Sequence, residues 1–205
     1  MWAVDNETRF AADRCFVRDL EGAEIWLVAV RATFDLLPDG RVRLAKKQEP
    51  VCLFPEFLGT PGQSSLRCDL DLPRTKSGTD VVLNGSAHAP DGRAVNAVDV
   101  ALRVGPIDKS LIVFGARTWK SDLLGTAVSK PEPFVSCPIT YEKAFGGPYE
   151  ERLSRDYQKA SLGNPLGAGF DFRSGAPAPQ IQDPGTILTT AGIPVAGYGA
   201  IAPAW

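Results

Sequence analysis

The chain has 205 residues, the length of one domain or of one domain with an appendage. Hydrophobic residues make up 44% and charged residues 22%, values close to the globular average, so the composition argues against a disordered chain. Lysine and arginine total 22 against 24 aspartates and glutamates, and no basic stripe runs along the chain, which argues against a nucleic-acid-binding protein.

The first predicted element is a β-hairpin in the N-terminal part of the chain. Residues 24–35 are rich in β-branched and aromatic side chains, and residues 41–44 alternate between polar and apolar. Pro38, Asp39 and Gly40 lie between them, and glycine reaches the positive φ of a tight turn because it has no Cβ. The pattern predicts two antiparallel strands.

The same pattern returns further along the chain. Residues 80–89 lead into a proline-aspartate-glycine turn at 90–92, and residues 95–104 then alternate with period two. A third apolar run, residues 110–115, follows a glycine-proline break at 105–106. Consecutive strands joined by short turns pair antiparallel. We therefore predict a mainly β fold, an antiparallel β-sandwich or rolled sheet in which the strands follow one another as a meander.

Helical patterns are weak throughout the sequence. Only residues 138–145 and 150–159 predict helices, and both segments are short and lack a long amphipathic face. The 20 glycines and 17 prolines exceed the average share of about 12% and indicate many turns. The predicted fold therefore contains few short helices.

The C-terminal third, residues 146–205, is rich in glycine and proline and is predicted to be irregular. No charged residue follows Asp183, and such an uncharged tail is expected to lie against its own sheet or against a missing partner. We predict one β-rich domain over residues 1–205, with a strand-rich part (1–145) on which the loop-rich part packs. The ending at Trp205 fits two alternatives, a shortened form of a longer protein or a C-terminus docked in the core.

The four cysteines are scattered and favour neither a zinc site nor a disulfide framework. No C-x-x-C occurs, and the chain has one histidine, His88. We expect four buried or half-buried free thiols: Cys15, Cys52, Cys68 and Cys137. The N-terminus lacks a basic segment followed by an apolar stretch, and the longest apolar run, residues 25–30, is far shorter than the roughly 20 residues of a membrane helix. We expect a soluble, cytoplasmic protein.

His88 is the candidate for proton transfer, because imidazole titrates near neutral pH. It precedes the turn that contains Asp91, so a catalytic pair with that carboxylate and a structural histidine at a strand end both stay open. No G-x-S-x-G motif surrounds a serine, and the glycines of residues 163–169 lack the lysine and the helix of a phosphate-binding loop. We interpret one acidic cluster as a solvated rim and predict neither a metal nor a cofactor; its members are Asp69, Asp71 and Asp80.

Aromatic rings beside small residues form a second group of candidates. Such rings either fill the core of an irregular backbone or, when exposed, anchor a partner protein. Both alternatives stay open for each ring. The candidate partner-binding residues are Trp119, Tyr141, Phe145, Tyr198 and Trp205.

Seven short segments between residues 76 and 205 follow one another in a specific order. They are KSGTDVVLNGSAHAPDGR (76–93), DVALRVGP (99–106), VFGARTW (113–119), PEPF (131–134), PITYEKAFGG (138–147), NPLG (164–167) and GAIAPAW (199–205). In these segments the sequence resembles the DUF2169 family of bacterial proteins. The part before residue 76 carries a weaker likeness.

The resemblance implies a role but no catalytic residues. Members of this family are found with type VI secretion genes and are regarded as adaptors or chaperones that help load toxic effectors onto the secretion spike. The implied partners are therefore a secreted toxin effector and the spike proteins. Family members generally continue past the Ile-Ala-Pro-x-Trp string with which this chain ends, so the resemblance leaves open whether the whole partner-binding surface is present.

The leading hypothesis is a non-enzymatic, cytoplasmic adaptor that grips an effector and delivers it to the spike complex. The alternative is a β-sandwich hydrolase or carbohydrate-active enzyme that uses His88 with Asp91. A third hypothesis is a structural piece of the secretion apparatus, which would assemble with itself.

Overall fold

The structure is a computed structural model, and it describes residues 3–122, 125–150, 158–161, 163–186, 188 and 193–201. The prediction of a mainly β fold is confirmed, because the described chain consists of short strands and connecting turns. Its contacts divide it into two compact units: a first unit from the described residues of 1–56 and 68–79, and a second from those of 57–67 and 80–205. The predicted single domain and the sandwich or rolled-sheet arrangement stay predictions.

The first unit contains two antiparallel hairpins. β1 (Ala11–Arg18) pairs over its whole length with β2 (Glu24–Arg31), and β3 (Phe34–Leu36) pairs with β4 (Val42–Leu44). The second hairpin confirms the one predicted around Gly40, whose φ is +81°. The sequence pattern predicted neither β1 nor the break that separates β2 from β3.

The rest of the chain forms further strands of two to eight residues. They are β5 (Glu56–Phe57), β6 (Leu66–Cys68), β7 (Ser86–His88), β8 (Ala97–Val104), β9 (Ile107–Phe114), β10 (Trp119–Asp122), β11 (Gly125–Val128), β12 (Ser136–Pro138), β13 (Phe145–Gly146), β14 (Pro148–Glu150), β15 (Gln158–Ala160), β16 (Ala168–Gly169) and β17 (Ile181–Gln182). The hairpin of β8 and β9 turns at Gly105, as predicted, and β17 pairs with the other edge of β9. β10 pairs with β11, β14 with β15, β5 with β6, and β13 pairs in parallel with β16.

The predicted meander is wrong at β7. The turn at 90–92 exists, with positive φ at Asp91 and Gly92, but β7 pairs with β12 and not with β8. Turn residues specify a local reversal of the chain, whereas burial decides which strand becomes the neighbour. Ala87 of β7 and Cys137 of β12 lie opposite each other and are both buried in the same core cluster, so this pairing completes the core.

Neither predicted helix forms in the described residues. Within residues 138–145 only Tyr141–Lys143 makes a single 3-10 turn, because the amide of Tyr141 donates to Ser65 Oγ and its carbonyl accepts from the side chain of Asn164. Tertiary partners thus replace the hydrogen bonds of a helix. In residues 150–159 both described ends lie in strands, β14 and β15, and the remainder lies outside the described residues.

The core of the second unit consists of two apolar clusters. The larger centres on Leu111, Val113 and Ile181 and also holds Ala196 and Tyr198. The smaller contains Trp119, Phe145, Ala178 and Ile193. The described part of the uncharged C-terminal tail therefore packs into the core of this unit, which is one of the two alternatives that its composition left open.

Candidate functional site

Four of the five aromatic candidates are buried in the second unit. Trp119, Tyr141, Phe145 and Tyr198 are each at most 9% exposed, and Trp205 lies outside the described residues. Of the two roles considered for these rings, core packing and partner binding, the structure shows core packing for the four that it describes. A direct contact with a partner by these residues stays a prediction, and none of the four offers an accessible ring.

Trp119 and Phe145 hold the smaller cluster together. The indole Nε1 of Trp119 donates to the carbonyl of Gly169 at 3.1 Å, and its ring lies 4.9 Å from that of Phe172. Phe145 meets Phe170 edge to face at 6.3 Å. Edge-on and tilted geometries of this kind add to the area that the rings bury. The indole also satisfies a carbonyl of the short parallel strand β16.

Tyr141 and Tyr198 bind the C-terminal tail to the sheet. The hydroxyl of Tyr141 donates to the carbonyl of Gly199 at 2.8 Å, and that of Tyr198 lies 2.9 Å and 2.8 Å from the carbonyls of Val100 and Lys109. Burial raises the pKa of both phenols, so both remain neutral donors. These contacts join residues about 60 to 100 positions apart in the chain.

His88 lies at the exposed end of β7, opposite Ser136. Asp91 is also exposed and occupies the following turn with a φ of +55°. Nothing in this arrangement tests catalysis, so the enzymatic hypothesis stays an alternative. Among the described residues, no group of three or more histidines, cysteines or carboxylates is placed to hold a metal ion.

Arg117 borders a cavity of about 360 Å³ in the second unit. Its Nε donates to the carbonyl of Pro179 at 2.6 Å, its Nη2 donates to Gln182 Oε1 at 2.7 Å, and the guanidinium stacks 3.9 Å from the ring centre of Phe114. Burial lowers the pKa of Arg117 to about 10. The guanidinium is thus engaged in bonds that fix β17 beside β9, which is a structural role.

The first unit presents a different surface, on one side of the β1 and β2 hairpin. Successive side chains of a strand point to opposite faces, and in β2 one face shows Trp26, Val28 and Val30. Phe16 of β1 lies directly opposite Trp26, with ring centres 5.6 Å apart. We call these four residues the ribbon face; their exposed fractions are 54% (Phe16), 39% (Trp26), 59% (Val28) and 60% (Val30).

The ribbon face has defined neighbours in the register. Ala12 lies opposite Val30, and Arg14 lies opposite Val28. At the turn end, Arg18 Nη2 pairs with Glu24 Oε1 at 3.1 Å, which closes the apolar patch with charges of both signs. Apolar residues of the second hairpin are also exposed: Phe34, Leu36 and Val42. Clustered exposed apolar residues of this kind mark interaction sites more often than scattered ones do.

Comparison with family models identifies the protein family of the chain. A model described as an uncharacterized protein conserved in bacteria, DUF2169, matches residues 21–205. The chain belongs to this family. Comparison with curated proteins and with solved structures finds no significant match.

The DUF2169 match reaches further toward the N-terminus than the segments that suggested it. It covers the three ribbon-face residues of β2 but not Phe16, which precedes residue 21. Sequence reasoning did not identify this face, because residues 25–30 are apolar on both sides of the strand and such a run is typical of a strand buried on both faces. Recognising β1 as the partner of β2 would have revealed the ribbon face.

Among the described residues, no helix is long and apolar enough to span a membrane.

Proposed function

We propose that this DUF2169 protein is a non-enzymatic, cytoplasmic adaptor or chaperone that binds a type VI secretion effector and promotes its stability and its loading onto the spike complex. The observation that carries the proposal is the ribbon face. The family resemblance supports the class of partner, and the exposure of the ribbon face supports a binding surface in the first unit.

The chemistry of the ribbon face defines the part of the effector that would bind. Val28 and Val30 keep about three fifths of their area in water, and burying it against apolar side chains contributes about 25 cal/mol for each Å². Phe16 and Trp26 add two rings, the residue class that dominates interface energies. The matching effector surface is apolar where it meets the four residues of the ribbon face, with polar groups where Arg14 lies opposite Val28 and where Arg18 and Glu24 close the patch.

The unpaired edges of the same hairpin favour the binding of an extended segment of the effector. β1 and β2 form a two-stranded sheet in the described residues, so each has one edge that pairs with no further strand. An added strand would extend the sheet by main-chain hydrogen bonds, while its side chains meet the ribbon face. A chaperone that holds an incompletely folded effector requires this combination of backbone and apolar contacts.

The proposal is tested by co-expressing the full chain with the full-length effector encoded beside it and measuring complex formation by size-exclusion chromatography. Val28→Lys replaces an exposed apolar side chain of the ribbon face by a charge beside Arg14, and we expect the affinity to fall at least about tenfold. Val104→Lys is the matched control, since Val104 is 45% exposed and lies on β8 in the second unit. We expect this control to bind like the wild type.

Two results would overturn the proposal. One is a Val28→Lys variant that binds the effector as tightly as the wild type does. The other is the absence of any complex with the full-length effector encoded beside this protein. In that case, a hydrolytic activity that is lost in the His88→Ala variant would establish the enzymatic alternative.

A further inference from the structure

Two of the four cysteines lie side by side in the first unit. Cys52 Sγ is 4.0 Å from the carbonyl oxygen of Cys68, and the side chain of Cys68 lies close enough to raise the pKa of the Cys52 thiol. Sixteen positions separate them in the sequence, and both are free thiols in this structure. A disulfide requires two thiols that the fold holds close together.

Asp71 holds the backbone around the pair. Its amide donates to the carbonyl of Cys52, its Oδ2 accepts from the amide of Cys52, and both distances are 2.8 Å. Arg31 Nη1 donates to the same Oδ2 at 3.2 Å. This two-way connection fixes Cys52 against the segment that carries Cys68, so the proximity of the thiols does not depend on flexible side chains alone.

The two thiols differ in environment. Cys52 is buried, and burial together with the neighbouring Cys68 raises its pKa to about 11, so it stays protonated and donates to the carbonyl of Phe54 at 3.0 Å. Cys68 is half-buried, and Arg31 Nη1 lies 3.4 Å from its Sγ. The guanidinium donates to this sulfur, and the partial exposure of Cys68 lets a small reagent reach it.

The charges around the pair are of both signs. Burial acts to lower the pKa of Arg31, but Cys68 and Asp71 outweigh it, so the pKa of Arg31 lies above its ordinary value and the guanidinium remains charged. Asp71 and Glu56 add negative potential that further disfavours ionisation of Cys52. The charged guanidinium of Arg31 therefore lies beside Cys68, the more exposed of the two cysteines.

We propose that Cys52 and Cys68 form a reversible dithiol–disulfide site that reacts with low-molecular-weight disulfides such as oxidised glutathione. The Cys68 thiolate attacks one sulfur of the reagent, which forms a mixed disulfide and releases one glutathione thiolate. The thiol of Cys52 then loses its proton to solvent and attacks Sγ of Cys68, which forms the protein disulfide and releases the second glutathione. The two cysteines are oxidised by two electrons, and one glutathione disulfide is reduced to two thiols.

The position of the pair in the chain gives the bond a specific effect. The chain leaves the first unit after Glu56 and returns to it at Cys68. Residues 57–67 belong to the second unit. A Cys52–Cys68 disulfide would therefore link the two parts of the first unit that flank this segment. Reduction removes this covalent link and leaves the hydrogen bonds between Cys52 and Asp71.

The test uses the full wild-type chain incubated with oxidised glutathione, followed by alkylation and peptide mapping by mass spectrometry. We expect a crosslinked Cys52–Cys68 peptide that reduced glutathione converts back to two thiols. Cys15 is the internal reference, because it is half-buried like Cys68 and lies in the same unit. A wild-type map in which Cys15 is glutathionylated and no Cys52–Cys68 crosslink forms would overturn the proposal.

Variants separate the two steps. Cys52→Ser removes the resolving thiol, so glutathione should accumulate on Cys68. Arg31→Gln removes the cation and should slow modification of Cys68 by about threefold or more, while the rate at Cys15 stays unchanged. If Cys52→Ser carries no glutathione on Cys68, or if Arg31→Gln slows Cys15 and Cys68 equally, the assignment of roles is wrong.

Discussion

The same substitution at two tryptophans distinguishes a core residue from a surface residue. Trp119→Ala removes a ring that is 1% exposed, and replacing a buried tryptophan by alanine costs about 3–5 kcal/mol of unfolding free energy. The carbonyl of Gly169 loses its indole donor, which adds about 1–3 kcal/mol for a buried acceptor left without a partner. We expect a total loss of about 4–8 kcal/mol, a large share of the about 5–15 kcal/mol that holds a typical protein folded.

Trp26→Ala is the matched control for this prediction. Trp26 is 39% exposed and packs against Phe16, so its loss should cost about 1–2 kcal/mol, of which the ring pair supplies about 0.5–1.5 kcal/mol. Urea denaturation followed by circular dichroism measures both variants. If Trp119→Ala is no less stable than Trp26→Ala, the placement of Trp119 in the core is wrong. Effector binding should show the reverse order among molecules that remain folded, with Trp26→Ala the weaker binder.

Two further predictions concern the second unit. Gly146→Ala should lower the free energy of unfolding by more than about 2 kcal/mol, because the φ of Gly146 is +148° and a Cβ would collide with the carbonyl of Asn164. The control is Gly105→Ala, which should cost about 1 kcal/mol because Gly105 has a φ of +56° and open space around it. Equal midpoints of urea denaturation for the two variants would contradict this prediction. Burial acts to raise the pKa of Glu142, but the amide and hydroxyl of Ser65, which donate to it at 2.7 and 2.5 Å, hold that pKa below its ordinary value. The resulting stability is complete above the ordinary pKa and is lost as the pH falls through the folded-state pKa, so unfolding measured from neutral pH to about pH 3 should show a smaller acid-induced loss in Glu142→Gln than in the wild type.

Local turns and the hairpins they join were readable from the sequence, whereas strand partners distant in the chain were not. The positive φ at Gly40 and Gly105 follows from the residue type, and both turns join adjacent antiparallel strands as predicted. The turn at Asp91 and Gly92 carries the same pattern, yet the strand before it pairs with residues 136–138. Its local geometry was predictable, but the burial of Ala87 against a distant segment was not.

The aromatic residues illustrate the same limit at the candidate site. A ring beside glycine or alanine occurs both in cores and at interfaces, so Trp119 and Tyr198 could not be assigned from their neighbours in sequence. Their hydrogen-bond acceptors, the carbonyls of Gly169 and Val100, lie 50 and 98 positions away. The proximity of Cys52 and Cys68 depends likewise on tertiary folding, because their spacing matches no short cysteine motif.

The pairing of β17 with β9 has a consequence for how the chain folds. β8 and β9 are neighbours in sequence and can form their hairpin early, but the second edge of β9 is covered only when Ile181 and Gln182 arrive and the amide of Phe114 donates to the carbonyl of Gln180. During synthesis, that edge stays open while the intervening residues leave the ribosome. An open edge strand is a template for pairing with other chains, so the arrival of β17 removes one route by which a nascent molecule can aggregate.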